Sequence, residues 1–185
     1  MSETPSNMLP LGTLAPDFIS FDTVSGNTLS LEELKSDIAT VIMFICNHCP
    51  YVKHINSELV LLSNDYLIKG ISFIGISSND VENYPEDSPE NMELTAEELG
   101  YKFPYLFDET QEIAKAYKAA CTPDFYIFDK DMKLVYRGQF DDSRPGNGME
   151  VTGSDIRSAL DNILAGKPVS QEQKPSIGCN IKWKK

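Results

Sequence analysis

Residues 44–52, Phe-Ile-Cys-Asn-His-Cys-Pro-Tyr-Val, are the stretch whose reading decides the fold. Residues 39–45, leading into it, are nearly all apolar and rich in β-branched side chains, the pattern of a central strand buried on both faces. Beyond it, Val52, Ile55, Leu59, Leu62 and Tyr66 recur at helical spacing, and Gly70 supplies a stop. Pro50 suits the first helical position, where an N–H would have no partner anyway. That register places Cys49 at the N-cap and Cys46 at the strand end. Unpaired N–H groups and the positive end of the helix dipole both favour a thiolate at Cys49. The thiolate is the nucleophilic form, so two cysteines three apart at a strand–helix junction predict redox chemistry.

Working outward, residues 71–76 read as a second buried strand, and strand–helix–strand implies a parallel pair with a right-handed crossover. Upstream, residues 17–21 alternate weakly as a strand before the turn Ser25-Gly26-Asn27, and Ser30 with Glu33 forms a capping box. Downstream, the acidic segment 79–98 holds Pro85 and Pro89 and reads as a solvated loop and helix start, with a helix over 90–99. A short strand follows at 103–107, and Asp108 with Gln111 resembles a further cap. Residues 124–128 and 134–138 form an antiparallel hairpin through Asp129-Lys130-Asp131. A polar loop covers 141–148. Thr152 caps a last helix bearing Ile156, Ala159, Leu160, Ile163 and Leu164 on one face.

The chain has 185 residues and is 41% hydrophobic, enough for one domain with a full core. Its net charge of -12 argues against nucleic acid or an anionic membrane as partner. No apolar run reaches the roughly 20 residues of a membrane span, and the N-terminus lacks the basic and apolar regions of a signal peptide. Four cysteines in such a chain point to reduced thiols, metal ligands or catalysis rather than a disulfide scaffold, and the expected location is the cytoplasm.

Three further motifs join the central one. Gly12-Thr-Leu-Ala-Pro-Asp-Phe18 resembles the Gly-x-x-Ala-Pro-x-Phe opening of the alkyl hydroperoxide reductase/thiol-specific antioxidant (peroxiredoxin) family. Thr122-Pro123 before Asp-Phe-Tyr-Ile-Phe resembles the cis-proline segment that packs on the active-site cysteine of the thioredoxin fold. The Cys-Asn-His-Cys-Pro site together with Gly178-Cys-Asn-Ile-Lys-Trp183 is similar to a small bacterial subgroup of that family. The resemblance implies an α/β, thioredoxin-like fold, a central mixed sheet flanked by helices. It covers about residues 9–166, with an arm at 1–8 and a tail at 167–185 rich in Pro, Gln and Lys.

The resemblance also assigns roles. Cys49 is the nucleophile, Cys46 its redox partner, and His48, Pro50, Thr122 and Pro123 support them. Cys121 and Cys179 are possible additional redox thiols. Val52 stands where reductases carry their second cysteine, and Cys46 where peroxiredoxins carry a threonine; the peroxidatic arginine position falls near Pro123. Thiol–disulfide exchange is therefore at least as well supported as peroxide reduction, with an external dithiol of thioredoxin type resetting the site. A metal module on Cys46, His48 and Cys49 ranks third, because a fourth ligand is missing; no metal and no cofactor is expected. His54, Arg137 and Arg144 are assigned to surface or capping roles.

Overall fold

The structure, a computed structural model, describes residues 3–185; residues 1 and 2 of the arm lie outside it. In chain order the elements are β1 (Glu3–Pro5), β2 (Ile19–Asp22), β3 (Thr28–Ser30), α1 (Leu31–Leu34), β4 (Ala39–Phe44), α2 (Pro50–Leu67) and β5 (Ser72–Ser77). A 3-10 turn at Pro85–Asp87 precedes α3 (Pro89–Leu99), β6 (Tyr105–Phe107), α4 (Glu112–Ala116), β7 (Cys121–Thr122) and β8 (Asp124–Asp129). The series closes with β9 (Leu134–Gly138), α5 (Ser154–Leu164) and β10 (Ile177–Asn180).

Every residue of β4 is buried, as its unbroken apolar run requires. Successive side chains point to opposite faces of a strand. Val41 and Met43 therefore face Leu59 and Leu62 of α2 and Leu160 of α5, while Ile42 and Phe44 face Ile113, Ala114 and Tyr117 around α4. Each such side chain, fully buried, is worth about 1.5–3 kcal/mol. The sheet runs β3-β2-β6-β5-β4-β8-β9. β4, β5 and β6 are parallel, and β8 returns antiparallel against β4. This is the mixed sheet between helical layers that the sequence predicts.

A second, three-stranded sheet, β1-β10-β7, was not legible in the tail. Residues 177–180, inside the expected tail, pair antiparallel with both β1 and β7. Since β7 runs through Pro123 into β8, this small sheet is anchored to the large one beside the Cys46–Cys49 turn.

Two caps differ from expectation. Gln111, not Asp108, is the N-cap of α4, in the left-handed region at φ 64°. Asp108 lies further back, and its carboxylate accepts from Ala114 N at 2.9 Å, Ile113 N at 3.3 Å and Ser78 Oγ at 2.8 Å. Gly153 caps α5 in place of Thr152, whose hydroxyl accepts from Ser154 N at 3.2 Å. Among the described residues no helix is long and apolar enough to cross a membrane.

Asp108→Ala leaves these buried donors without an acceptor and is expected to cost about 2–3 kcal/mol in urea unfolding. A loss under ~0.5 kcal/mol would show that the carboxylate does not hold the start of α4.

Candidate active site

Cys49 is the N-cap of α2, with extended backbone at φ -67°, ψ 123°, and Pro50 follows as the first helical residue. Its carbonyl accepts from Val52 N and Lys53 N, so the helix begins directly under the sulfur. The sulfur is fully buried and faces three neighbours. Cys179 Sγ is 2.7 Å away, the Thr122 carbonyl oxygen is 3.3 Å away, and the Cys46 thiol donates to it. Cys46 in turn lies 3.5 Å from the Thr122 hydroxyl. The Thr122–Pro123 peptide bond is cis.

These donors set the acidities. The Cys49 pKa is drawn down to about 5, first by the hydrogen bond from Cys46, with Cys179, Thr122 and the Val52 amide adding to it against burial. The Cys46 thiol is pushed well above its ordinary value, because it donates to Cys49, is buried and faces the Asp87 carboxylate. Cys179 is pushed up to about 12 by burial, then by its bond to Cys49 and by the Cys49 charge. Burial, first of all, raises Cys121, whose sulfur points to the Pro123 carbonyl at 3.7 Å.

Behind the cysteines sits a buried carboxylate. Asp87 Oδ1 accepts from Asn47 N at 2.8 Å and His48 N at 3.3 Å, and Oδ2 lies 2.5 Å from His48 Nδ1 and 2.8 Å from Asn79 Nδ2. Burial alone would raise the Asp87 carboxyl, but the bonds from His48 and Asn79 hold it below its ordinary value. The Asp87 bond correspondingly raises His48 and favours the imidazolium. The imidazole stacks on Tyr84, ring centroids 5.6 Å apart, and Lys182 Nζ lies over the same ring, 5.7 Å from its centroid.

Residues 11–137 match the AhpC/TSA family. The chain belongs to the AhpC/TSA family. No curated protein matches it. A crystal structure of an uncharacterized conserved protein from Geobacillus kaustophilus is 67% identical with a TM-score of 0.98, covering 100% of this chain and 97% of that one. A hypothetical protein from Sinorhizobium meliloti 1021 is 49% identical with a TM-score of 0.95, covering 98% of each chain. A thioredoxin-family thiol:disulfide interchange protein from Chlorobium tepidum TLS is 18% identical with a TM-score of 0.63, covering 83% of this chain and 97% of that one. At that identity the likeness speaks for the fold alone, and it is the thioredoxin-like fold that the motifs imply. This AhpC/TSA chain is a thiol-dependent oxidoreductase.

Of the residues singled out in the sequence, Cys46, Cys49, Thr122 and Cys179 converge, and His48 adjoins them. Cys121 is close but turned away. His54 is half-buried rather than superficial, and its Nε2 has no hydrogen-bond partner among the described residues. Arg137 is bound to Gln173 at 2.6 Å. Arg144 is not a free surface residue: it bonds Asp141 O, Ser143 O and Gln139 Oε1 and organises loop 141–148.

Two site residues escaped the sequence reading. Asp87 lies in the acidic segment whose composition predicts a solvated loop, yet it is fully buried; the one local signal is Pro85, two residues earlier, which starts the 3-10 turn. Lys182 is buried beside the site, and its charge favours the Cys179 thiolate. The ligand atoms of Cys46, His48 and Asp87 all lie within 4.8 Å of one another. The set replaces Cys49 of the expected trio with Asp87, still one ligand short of a structural zinc site. Both Asp87 oxygens already accept hydrogen bonds.

The ultraviolet absorbance of one thiolate is expected to appear as pH rises through about 5, and to vanish in Cys49→Ser. Cys46→Ala, which removes the leading donor, is expected to move that transition upward. Because the folded pKa lies below the unfolded value of about 8.5, the thiolate's contribution to stability is complete above that value. It is lost as pH falls through about 5. A midpoint near that of a free thiol would remove the electrostatic account of the site. For the second pair, Asp87→Asn is expected to lower the His48 pKa, read from imidazole proton shifts by NMR; an unchanged value would separate His48 from Asp87.

Proposed function

We propose that Cys49 is the attacking thiolate of a thiol–disulfide oxidoreductase. The observation that carries this reading is the Cys49 sulfur at the start of α2, 2.7 Å from Cys179 and 3.3 Å from the Thr122 carbonyl, where Cys46, Cys179, the Thr122 side chain and the Val52 amide favour its ionised form. Cys46 serves as the principal donor, and Pro50, Thr122 and Pro123 fix the geometry around the sulfur. The thiolate attacks one sulfur of a substrate disulfide, forming a mixed disulfide and releasing a thiolate that takes up a proton. A second thiol of the chain displaces the remaining substrate thiol, and an external dithiol of thioredoxin type returns the pair to the reduced state. Four free thiols suit a reducing compartment such as the cytoplasm.

Peroxide reduction is the second reading, favoured by one feature: Cys49 is wholly covered, and a small peroxide reaches such a sulfur with less opening than a protein disulfide does. Against it, the groups that stabilise the Cys49 thiolate are neutral thiols, a hydroxyl and an amide, with no guanidinium among them. An S–H is a weaker donor than the hydroxyl that peroxiredoxins place at the Cys46 position. Loss of one preorganised donor typically lowers a rate on the order of 100-fold.

Stopped-flow measurement of Cys49 oxidation by hydrogen peroxide and by a small disulfide orders the two readings. Peroxide oxidation is expected to be faster than for a free thiol but below about 10⁶ M⁻¹s⁻¹, inside the range of efficient enzymes, while disulfide exchange proceeds. A peroxide rate at or above that value makes the protein a peroxidase. No reaction of Cys49 with either oxidant removes both readings.

A further inference from the structure

β7 is a strand of two residues, Cys121 and Thr122, with its edge beside the Cys49 sulfur. An exposed strand edge next to a nucleophile is a place where an extended peptide adds by backbone pairing. In this chain the place is taken by its own β10. Cys179 pairs with Thr122 and Asn180 with Cys121, and on its other side β10 is held by β1, with Glu3 opposite Cys179. Tyr51, the second residue of α2, donates its hydroxyl to the Glu3 carboxylate and ties this outer strand to the active-site helix. Ser176 donates to the Pro123 carbonyl at 2.5 Å, and Ile181 N to the Ala120 carbonyl at 3.1 Å, so β10 is pinned at both ends.

The fit of β10 depends on Gly178. A Cβ at that position would lie 1.9 Å from the Thr122 carbonyl oxygen and 2.7 Å from its carbon. The missing side chain lets the two backbones close up, and the next residue, Cys179, is delivered with its sulfur 2.7 Å from Cys49. A disulfide of roughly 2.05 Å needs only about 0.7 Å of further approach from that distance.

We propose that Cys179 is the resolving thiol and that β10 is a built-in resolving strand, which closes a Cys49–Cys179 disulfide once Cys49 is oxidised. This rests on Cys49 as the nucleophile, and holds for either class of oxidant. With a hydroperoxide, the Cys49 thiolate attacks the terminal oxygen and the O–O bond breaks. The alcohol or water leaves with one proton, and Cys49 becomes a sulfenic acid. Cys179 then attacks the Cys49 sulfur; the S–S bond forms, the S–O bond breaks, and hydroxide leaves with the Cys179 proton as water. With a small disulfide, the same two attacks release two thiols. An external dithiol reverses the oxidation in each case, giving two electrons and two protons to the Cys49–Cys179 disulfide and becoming a disulfide itself.

The surroundings divide the work between the two candidate partners. Cys46 faces the Asp87 carboxylate, which opposes its ionisation whatever the state of Cys49. Cys179 is restrained chiefly by burial, and beyond that by its bond to Cys49 and by the Cys49 charge, both of which end when Cys49 is oxidised. Lys182, on the same strand's continuation, then remains as the cation that favours a Cys179 thiolate.

The test is peptide mapping of the full chain after one equivalent of hydrogen peroxide, with dimedone added in parallel to trap sulfenic acid. The expected product is a Cys49–Cys179 disulfide, formed in the unmutated protein and in Cys46→Ser. In Cys179→Ser that link is lost and dimedone-labelled Cys49 accumulates. Gly178→Ala keeps every sulfur but displaces the strand, and is expected to slow disulfide formation about 100-fold while leaving Cys49 oxidation measurable. A Cys46–Cys49 or Cys49–Cys121 link as the main product overturns the proposal, and so does persistent Cys49 sulfenic acid with Cys179 free; in those cases Cys49 stands as the nucleophile. Absence of any Cys49 oxidation, by hydrogen peroxide and by a small disulfide in a parallel sample, overturns the proposal together with the reading beneath it.

Discussion

The contact on which the site depends is the approach of one backbone onto another, Gly178 onto the Thr122 carbonyl. Thr122 is the common neighbour of the whole constellation. Its hydroxyl meets Cys46, its carbonyl meets Cys49, and its backbone pairs with Cys179. Three sulfurs from two distant parts of the sequence are therefore positioned against one residue. That residue is held by the junction of β7 and β8, and β8 is packed along the fully buried β4. Rigidity passes from the hydrophobic core to the sulfurs through backbone pairing rather than through long, flexible side chains.

Charge around the site is arranged in two tiers. The inner tier is neutral apart from Cys49: thiols, a hydroxyl and an amide donate to the sulfur, so the negative charge is spread over several weak donors in a dry setting. The outer tier is ionic, with Asp87, His48 and Lys182 around Tyr84. Asp87 touches no sulfur by hydrogen bond in the described residues, yet it holds the backbone N–H groups of Asn47 and His48, the two residues between the cysteines. A carboxylate accepting from consecutive amides fixes the turn that separates Cys46 from Cys49, while its charge restrains Cys46 from ionising.

What could be read from the sequence is what local chemistry decides. The apolar run of β4, the proline after Cys49, the helical spacing of α2 and the hairpin of β8 and β9 each carry their own signal within a few residues. The capping box at Ser30 and Glu33 is present in both of its halves. β10 has no such signal: four residues containing a glycine and an asparagine, preceded by a Pro- and Gln-rich stretch, become a strand only because β1 and β7 lie on either side. Asp87 was hidden for a related reason. An acidic segment averages to a solvated one, and nothing nearby reveals that one carboxylate of several will meet the N–H groups of a turn 39 and 40 residues earlier. Gln111 took the helix start from Asp108 because its amide also reaches Ser78 and Lys182, a tertiary demand that a capping rule does not contain.

The distance along the chain between Cys49 and the strand that covers it is 130 residues. During synthesis, β4 and the start of α2 emerge well before β10, and pairing at such sequence separation is slow to form compared with local structure. A chain in the course of being made therefore has its helix start and the Cys49 sulfur in place without their cover. In that interval a stray oxidant meets an open sulfur. Burial of the finished site, seen from this side, protects the nascent enzyme last, and the order in which the ribosome delivers the strands becomes part of how the thiol is kept intact.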